Sequence, residues 1–272
     1  MRIAALQMTS GLDAEANVIR ALSMISAAAD SGAELIVLPE SFARLADRDA
    51  ALSDIAEPFG DGPIQESVRF AAEKNGIWIA AGSIPVRSGD NGRFTDTTIV
   101  FNPAGEAAFR YDRVHLFSRK LSEEDIFCQE REKIDAGTTA GSFELINRDG
   151  EKLRVGVGIG FDLRFPEHFR AMATPDLILL PAAFTAQTGR AHWAALLAAR
   201  AIENQCFVAA AAQSGQHECG RTTWGHTRVL DAWGSVLAEI PSGEGAAICD
   251  LELARLSSVR RMLPALACRV DE

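Results

Sequence analysis

Three polar segments of the sequence combine residue types that can carry acid–base or nucleophilic chemistry. They are residues 39–42 (PESF), 111–117 (YDRVHLF) and 158–167 (GIGFDLRFPE), and each lies at the end of an apolar run. Glu40 comes directly after such a run, where a carboxylate is poorly solvated and a cation is its natural partner. Composition alone supports two interpretations equally, a catalytic carboxylate or an ion pair that ties two loops together.

The elements that must position these segments follow from hydrophobic periodicity and from turn residues. Apolar runs predict strands at residues 3–7, 35–40, 77–84, 97–101, 106–111, 153–160, 177–184 and 206–213, and a hairpin at 227–240 that turns at 231–234. Apolar stripes of helical period predict helices at about 13–30, 63–76, 166–173 and 191–204. Strands that alternate with helices predict an α/β fold with mixed sheets, in which ligands bind beyond the carboxyl ends of the strands.

Two eight-residue segments share one pattern. LIVLPESF (35–42) and LILLPAAF (177–184) both read Leu-Ile-x-Leu-Pro-x-x-Phe. Two copies of a strand that ends in proline suggest two similar β–α halves packed together, and coincidence between two apolar strands is the alternative. Because no linker or low-complexity tract interrupts the chain, residues 1–272 are predicted to form a single domain with a short C-terminal tail from about residue 264.

The composition excludes several classes of protein. The 272 residues hold 27 Lys and Arg against 37 Asp and Glu, a net charge of −10, and 47% of them are hydrophobic. An acidic chain of this kind is expected to fold and to bind neither nucleic acid nor an anionic membrane. No apolar run reaches the roughly 18 residues of a membrane span, and the N-terminal residues lack a signal-peptide core, so a cytoplasmic location is expected. Five cysteines without a CxxC pair predict neither a disulfide scaffold nor a structural zinc site, and no cofactor is expected.

Together, the three polar segments resemble the signature motifs of the nitrilase (carbon–nitrogen hydrolase) superfamily, over a match that runs from the first strand to about Leu266. LPESF resembles the glutamate motif of that family, YDRVHLF its lysine motif and GIGFDLRFPE its cysteine motif. The downstream sequence resembles the branch of deaminated glutathione amidase and ω-amidase, and AAQSGQH (211–217) and WGH (224–226) favour the former. The resemblance implies a four-layer α-β-β-α sandwich that pairs into homodimers or larger homo-oligomers.

The resemblance also implies a chemistry, in which Glu is the general base, Lys stabilises an oxyanion and Cys attacks the amide or nitrile carbon. Glu40 keeps the base position, whereas Arg113 stands at the lysine position and Gly160 at the cysteine position. Arginine can still present positive charge and hold a carboxylate bidentately, but it cannot shuttle a proton. Glycine cannot form a thioester, and loss of the nucleophile costs about 10⁶-fold in turnover in a comparable hydrolase.

Four further positions match residues around the family's pocket, and they are the predicted binding residues. Glu130 matches a second glutamate that lines the pocket, and Phe161 follows the nucleophile position where Tyr is common. Asp162 and Arg164 match an Asp–Arg pair that braces the turn.

Other departures and substitutes carry less weight. Ser118 and Ala194 replace acidic residues of the related amidases and suggest altered substrate contacts or altered polar support. Cys128 lies two residues before Glu130, but a packing role is favoured over a substitute nucleophile. The loop with His217 and Cys219 lacks two further metal ligands, so no metal site is predicted there.

The sequence therefore predicts a catalytically silent or severely impaired homologue of a small-molecule amidase, whose pocket still binds a small amide or carboxylate. The loss of both Lys and Cys beside a preserved scaffold favours this interpretation. Two alternatives stay open: an active amidase that uses water activated by Glu40 or a displaced thiol, and a structural subunit that pairs with an active paralogue.

Overall fold

The structure is a computed structural model that describes residues 1–46, 49–89, 92–117 and 133–270. Its described strands are β1 (Arg2–Gln7), β2 (Leu35–Val37), β3 (Trp78–Ala80), β4 (Ile84–Arg87), β5 (Phe94–Phe101), β6 (Ala107–Asp112), β7 (Ser142–Ile146), β8 (Lys152–Val157), β9 (Leu177–Ala182), β10 (Phe207–Ala212), β11 (Ser214–Gln216), β12 (Thr222–Trp224), β13 (Thr227–Leu230), β14 (Val236–Ile240) and β15 (Gly245–Asp250). Its described helices are α1 (Ala14–Asp30), α2 (Asp49–Ser53), α3 (Pro63–Asn75), α4 (Pro166–Arg170), α5 (Ala186–Thr188), α6 (Ala194–Asn204) and α7 (Leu253–Met262). Shorter turns are 3₁₀ at Gly160–Arg164 and Ala265–Cys268 and π-helical at Gly189–Trp193.

One sheet has the strand order β15-β1-β2-β3-β5-β4, with β6 paired to β5, and its strands β1, β2 and β3 run parallel. Helix α1 packs on this sheet, and it begins where the Asp13 side chain accepts a hydrogen bond from the Ala16 amide. Helix α3 begins at Pro63, a favoured first helical residue, and ends before Gly76, which adopts φ 61°. The face of α1 that meets the sheet repeats apolar residues every three or four positions: Val18, Ala21, Ile25 and Ala28.

The other large sheet has the order β14-β13-β10-β9-β8-β7, and its strands β8, β9 and β10 run parallel. Helices α4 and α6 cover one face of it, where Phe169, Leu197 and Ala201 pack against Ile178 and Val208. Residues of the opposite face pack against the first sheet.

A continuous apolar core fills the space between the two sheets. Its members come from the inner faces of both parallel regions, including Ile3, Leu35, Val155, Leu177 and Phe207, each at most 1% exposed. Helix, sheet, sheet and helix thus stack in four layers, because each sheet buries one face against the other and one against helices. The predicted four-layer α-β-β-α sandwich is confirmed.

The two copies of the repeated pattern occupy equivalent places. Strand β2 is the middle of three parallel strands in one sheet, and β9 is the middle of three in the other. Pro181 lies two residues beyond Leu179, the last residue of β9 that pairs with β8, so its missing amide hydrogen takes nothing from the ladder with β8; on the other side of the strand it lies opposite Ala211 of β10. Both segments leave their sheets at the same end of the sandwich, and the candidate site lies there.

The structure corrects several predicted boundaries. The run 77–84 is not one strand, because the chain turns at Gly82 between β3 and β4. The run 153–160 ends as strand at Val157, and the 3₁₀ turn at Gly160–Arg164 follows. Strands β7 and β15 and helix α7 were not predicted. None of the described helices is both long and apolar enough to cross a bilayer.

Candidate active site

The turn that carries Glu40 leaves β2 through Pro39 and is held in an unusual backbone conformation. Ser41 has φ 55°, in the left-handed region where a residue with a Cβ costs about 1–2 kcal/mol. The Ser41 amide donates a hydrogen bond to Ser83 Oγ at 3.1 Å. Such a conformation persists only where neighbouring contacts stabilise it, so the Glu40 turn depends on the chain around Ser83.

Gly82 lets that neighbouring chain approach the Glu40 turn. It has φ 51°, and a Cβ at this position would lie 2.1 Å from the carbonyl oxygen of Pro39. We expect Gly82→Ala to lower the free energy of unfolding by about 3 kcal/mol, because neither backbone can move away cheaply. Chemical denaturation measures this loss.

Gly76→Ala is the matched control, because Gly76 also has positive φ but nothing lies within 4 Å of its would-be Cβ. The control substitution should cost about 1 kcal/mol through backbone strain alone. Equal losses for the two variants would show that close approach at Gly82 does not hold the Glu40 turn.

A buried polar network ties the Glu40 turn to the second sheet. Gln213 Nε2 donates to the Glu40 carbonyl oxygen at 3.1 Å and to Ser10 Oγ at 2.8 Å. His217 Nδ1 contacts the Ser10 carbonyl at 2.9 Å, so this nitrogen is the donor, and His217 Nε2 lies 2.7 Å from Thr223 Oγ1. Gln213, Ser10, His217 and Thr223 are each at most 4% exposed. The backbone at Glu40 is therefore fixed from both sheets.

This network predicts a pH dependence of stability. Burial lowers the pKa of His217, so as the pH falls this side chain takes up a proton more readily in the unfolded chain than in the folded one. The contribution of this residue to stability is complete above about pH 6.5 and decreases as the pH falls below that value. We expect His217→Gln to reduce the loss of unfolding free energy between pH 7 and pH 5, by at most about 1.4 kcal/mol per pH unit. An unchanged slope for His217→Gln would contradict the prediction.

Arg113 is clamped between two carboxylates just after β6. Its Nη1 lies 3.1 Å from Glu40 Oε1 and its Nε 3.3 Å from Asp96 Oδ2, and its side chain is 3% exposed. The Arg113 amide also donates to the Asp96 carbonyl oxygen at 2.9 Å. The bidentate grip on a ligand carboxylate that the sequence suggested for Arg113 is thus not the arrangement in the structure, because two protein carboxylates already face this guanidinium. Asp96 was not predicted. The one feature of the sequence that could have indicated it is an acidic residue within the buried strand β5.

Gly160 lies directly against Glu40. Strand β8 ends at Val157, and Gly160 follows with φ 45° at the start of the 3₁₀ turn. A Cβ at this position would lie 2.3 Å from Glu40 Oε2 and 2.9 Å from Glu40 Cδ. The carboxylate therefore occupies the space that the first atom of any side chain at this position would need.

The buried Asp162 carboxylate stabilises the 3₁₀ turn at Gly160–Arg164 through hydrogen bonds. Its Oδ2 accepts hydrogen bonds from Tyr111 Oη at 2.7 Å and the Ile159 amide at 2.9 Å, and its Oδ1 accepts from the His115 amide at 3.0 Å and His115 Nδ1 at 2.7 Å. Burial acts to raise the pKa of Asp162, but these hydrogen bonds outweigh it and hold the pKa below its usual range. Burial raises the pKa of Tyr111, so its phenol stays protonated and donates. No hydrogen bond or ion pair between Asp162 and Arg164 is found among the described residues, so the predicted Asp–Arg brace is replaced by Tyr111 and His115.

One group of side chains near the turn has the composition of a metal site. Ligand atoms of His115, Asp162 and His168 all lie within 4.8 Å of one another. The two Asp162 oxygens already accept four hydrogen bonds, and an ion there would displace donors that have no other partner of equal strength. This cluster is better interpreted as a structural hydrogen-bond network.

A cavity of about 670 Å³ opens in front of Glu40 and Gly160. Aromatic rings and charged groups share its wall, which includes Phe117, Phe161, Phe184, Glu40, Arg113, Arg164, Thr185, Thr188, His192 and Arg221. The Arg164 guanidinium lies 5.0 Å from the centre of the Phe184 ring, and its Nη1 lies 3.2 Å from His192 Nδ1. Asp162 is completely buried and does not line the cavity, unlike Phe161 and Arg164.

Some residues that the sequence singled out are not among the described residues that line the cavity. Glu130, Cys128 and Ser118 lie outside the described residues. Ala194 is exposed at the start of α6 and is not among the residues that line the cavity. The cysteines that the structure describes, Cys206, Cys219, Cys249 and Cys268, do not line it either.

Several cavity residues were missed by the sequence analysis. Phe184 ends the second copy of the repeated pattern, which points to the same edge as Glu40. Arg221 follows the Gly- and His-rich loop, where sequence offers no signal for a side chain that reaches the cavity.

Comparison with known proteins places this geometry in a family. The carbon–nitrogen hydrolase family matches residues 2–261 of the chain. This chain belongs to the carbon–nitrogen hydrolase family. The predicted membership of the nitrilase superfamily, in the amidase branch named above, is confirmed.

Relatives of this carbon–nitrogen hydrolase match it over nearly its whole length. The chain is 38% identical to the deaminated glutathione amidase of Yersinia enterocolitica, over 97% of this chain and 91% of the relative. It is 32% identical to the omega-amidase NIT2 of Mus musculus, over 97% of this chain and 93% of the relative.

Solved structures show the same fold. The NitFhit protein of C. elegans is 32% identical and superposes with a TM-score of 0.88, over 98% of this chain and 64% of that chain. Nit3 of Saccharomyces cerevisiae, a member of branch 10 of the nitrilase superfamily, is 26% identical, with a TM-score of 0.86 over 97% and 94% of the two chains. The chain is thus a homologue of nitrilase-superfamily amidases.

Proposed function

We propose that this carbon–nitrogen hydrolase homologue does not hydrolyse C–N bonds and instead binds a small molecule in its cavity. The observation that supports the proposal is the contact between Gly160 and Glu40. The position that resembles the family's nucleophile bears no side chain, and the carboxylate of the base lies within 2.3 Å of where its Cβ would be. Amide hydrolysis by this family's route needs a thiol at that point to form an acyl intermediate.

The alternative of a water activated by Glu40 gains no support from the geometry. Glu40 Oε1 lies 3.1 Å from Arg113 Nη1, and Glu40 Oε2 lies against Gly160. Both carboxylate oxygens thus already face protein atoms, Arg113 on one side and Gly160 on the other. None of the cysteines that the structure describes lines the cavity, and Cys128 lies outside the described residues, so thiol alkylation has to test a displaced thiol.

The proposal is tested with deaminated glutathione and with small ω-amides such as glutaramate, against the Yersinia enterocolitica relative as positive control. We expect turnover about 10⁶-fold below that of a cysteine-dependent relative, and no acyl adduct by mass spectrometry. Amine or ammonia release that Glu40→Gln abolishes would favour the activated-water alternative and contradict the proposal. Release that thiol alkylation abolishes would favour a displaced thiol and contradict it equally.

The finer expectations on assembly and location belong to the same proposal. A homodimer or larger homo-oligomer and a cytoplasmic location stay predictions, and light scattering of the purified protein measures the first. Co-purification with a cysteine-containing paralogue would support the structural-subunit alternative instead.

A further inference from the structure

The charged groups that line the cavity differ in whether they pair with one another. Glu40 lies at the floor beside Gly160, and of the lining residues that the structure describes it is the only acid. Arg164 and Arg221 also line the cavity, and no hydrogen bond or ion pair joins either of them to Glu40 within the described chain. A ligand in the cavity thus meets one carboxylate and two guanidinium groups that do not pair with it.

The floor is unsuited to an anion. Arg113 is the cation nearest to Glu40, but the carboxylates of Glu40 and Asp96 lie 3.1 Å and 3.3 Å from its guanidinium nitrogens. A ligand carboxylate brought to Arg113 would enter a space that already holds two negative charges and one positive charge among the described residues. The carboxylates of Glu40 and Asp96 would repel the carboxylate of a ligand in this place, whereas the Glu40 carboxylate attracts an ammonium group.

Arg164 and Arg221 are better suited to bind an anion. Arg164 contacts the Phe184 ring and His192, and Arg221 Nη1 contacts the Ala46 carbonyl oxygen at 3.4 Å. Neither guanidinium forms an ion pair with a carboxylate of the described chain, although the protein has an excess of acids. Burial lowers the pKa of Arg164, which reflects a charge partly removed from water. A partly desolvated guanidinium in an aromatic wall is a strong bidentate site for a carboxylate.

We infer that the cavity binds an ω-amino acid as a zwitterion, with its ammonium group at Glu40 and its carboxylate at Arg164 and Arg221. This inference rests on the proposed function, since it assigns a ligand class to the cavity of a protein that does not hydrolyse amides. An amine end offers no carbonyl carbon, so the ligand needs no nucleophile at Gly160. Replacement of the amide by an amine would convert a substrate-like molecule into a stable ligand.

The test is isothermal titration calorimetry with three matched series of linear molecules of increasing length. The amino acids are γ-aminobutyrate, δ-aminovalerate and ε-aminocaproate; the dicarboxylates are succinate, glutarate and adipate; and the ω-amides are succinamate, glutaramate and adipamate. We expect one of the amino acids to bind about tenfold or more tightly than the dicarboxylate and the amide of its own length. Equal or tighter binding of a matched dicarboxylate or amide, or no binding of any amino acid, would overturn the inference.

Variants assign each end of the ligand. Glu40→Gln should weaken amino-acid binding about tenfold while it changes amide binding by less than about threefold, and Arg164→Gln and Arg221→Gln should each weaken amino-acid binding about tenfold. Glu73→Gln and Arg261→Gln, at exposed helix positions, are the matched controls and should leave affinity unchanged. Unchanged affinity in Glu40→Gln would contradict the ammonium assignment.

The same titration samples are assayed for ammonia release from the ω-amides. Ammonia release would contradict the proposal that the protein does not hydrolyse C–N bonds, whichever series of molecules binds most tightly. Absence of release together with no preference for amino acids would contradict only the ligand class inferred here.

Discussion

Amidase activity is expected to return when Gly160→Cys and Arg113→Lys are combined, and not when Gly160→Cys is made alone. The single substitution places a Cβ 2.3 Å from Glu40 Oε2, so the base must move before a thiol fits. Glu40 cannot move freely, because Arg113 Nη1 holds its Oε1 at 3.1 Å and Asp96 holds Arg113 in turn. Lysine presents one ammonium group where arginine presents a planar fork, so it cannot contact both carboxylates in the same way.

The expected chemistry of the double variant defines its measurement. The introduced thiolate attacks the amide carbonyl, the C–N bond breaks as ammonia leaves with a proton from the base, and water then hydrolyses the thioester. We expect ammonia release from an ω-amide at about 10³-fold or more above the wild-type background, and an acyl adduct visible by mass spectrometry. The single Gly160→Cys variant should stay within about tenfold of background and lose about 1–3 kcal/mol of stability, because position 160 has positive φ.

Two controls make this result specific. Gly160→Ser with Arg113→Lys changes the same positions without a thiol, and Glu40→Gln added to the active double variant removes the base. Both should return turnover to background. Equal activity of the single and double cysteine variants would show that the Arg113 clamp does not hold Glu40 in place.

Local sequence signals predicted the parts of the fold that rest on local rules. The apolar runs at 35–40 and 177–184, with their shared proline, marked the middle strands of both sheets, because a strand covered on both faces needs continuous apolar sequence. The division of 77–84 into β3 and β4 was not predictable, since it depends on the close approach of Gly82 to Pro39, a contact across more than forty residues.

The candidate site was predictable in position but not in pairing. The resemblance placed Glu40, Arg113 and Gly160 in one site, and the structure brings the three together. It did not reveal Asp96, whose partner Arg113 follows β6, the next strand of the hairpin. It also did not reveal Arg221, which lines the cavity from the loop between β11 and β12. Long-range pairing of charges depends on tertiary structure, and no periodicity in the sequence encodes it.

Removal of the Asp162 carboxylate is expected to be a severely destabilising substitution at this site. Asp162→Ala would leave four donors without their acceptor: Tyr111 Oη, His115 Nδ1 and the amides of Ile159 and His115. A buried donor without a partner costs about 1–3 kcal/mol, and loss of one member of a buried charged network costs about 3–5 kcal/mol in all. We therefore expect Asp162→Ala to lower the free energy of unfolding by about 4 kcal/mol in chemical denaturation.

The variant Asp162→Asn removes the negative charge but keeps a side chain of nearly the same shape. It keeps one acceptor oxygen, so it should cost less than Asp162→Ala, about 2 kcal/mol. The depressed pKa of Asp162 adds a pH signature, since its contribution is present above the ordinary pKa of an aspartate and is lost as the pH falls through the lower folded value. The asparagine variant should therefore lose less stability than wild type between pH 5 and pH 3.

The position of Asp162 links this stability to the cavity. The Asp162 carboxylate accepts a hydrogen bond from the amide of Ile159, the residue before Gly160. The 3₁₀ turn at Gly160–Arg164 contains both Gly160 and Asp162. Loss of the carboxylate should therefore loosen the contact between Gly160 and Glu40, which hydrogen exchange at the amides of this turn measures in the asparagine variant. Asp149→Ala, at an exposed loop position, is the control and should change neither stability nor exchange. A loss below about 1 kcal/mol for Asp162→Ala would mean that Tyr111 and His115 find other acceptors, and that the turn holds its place beside Glu40 without this brace.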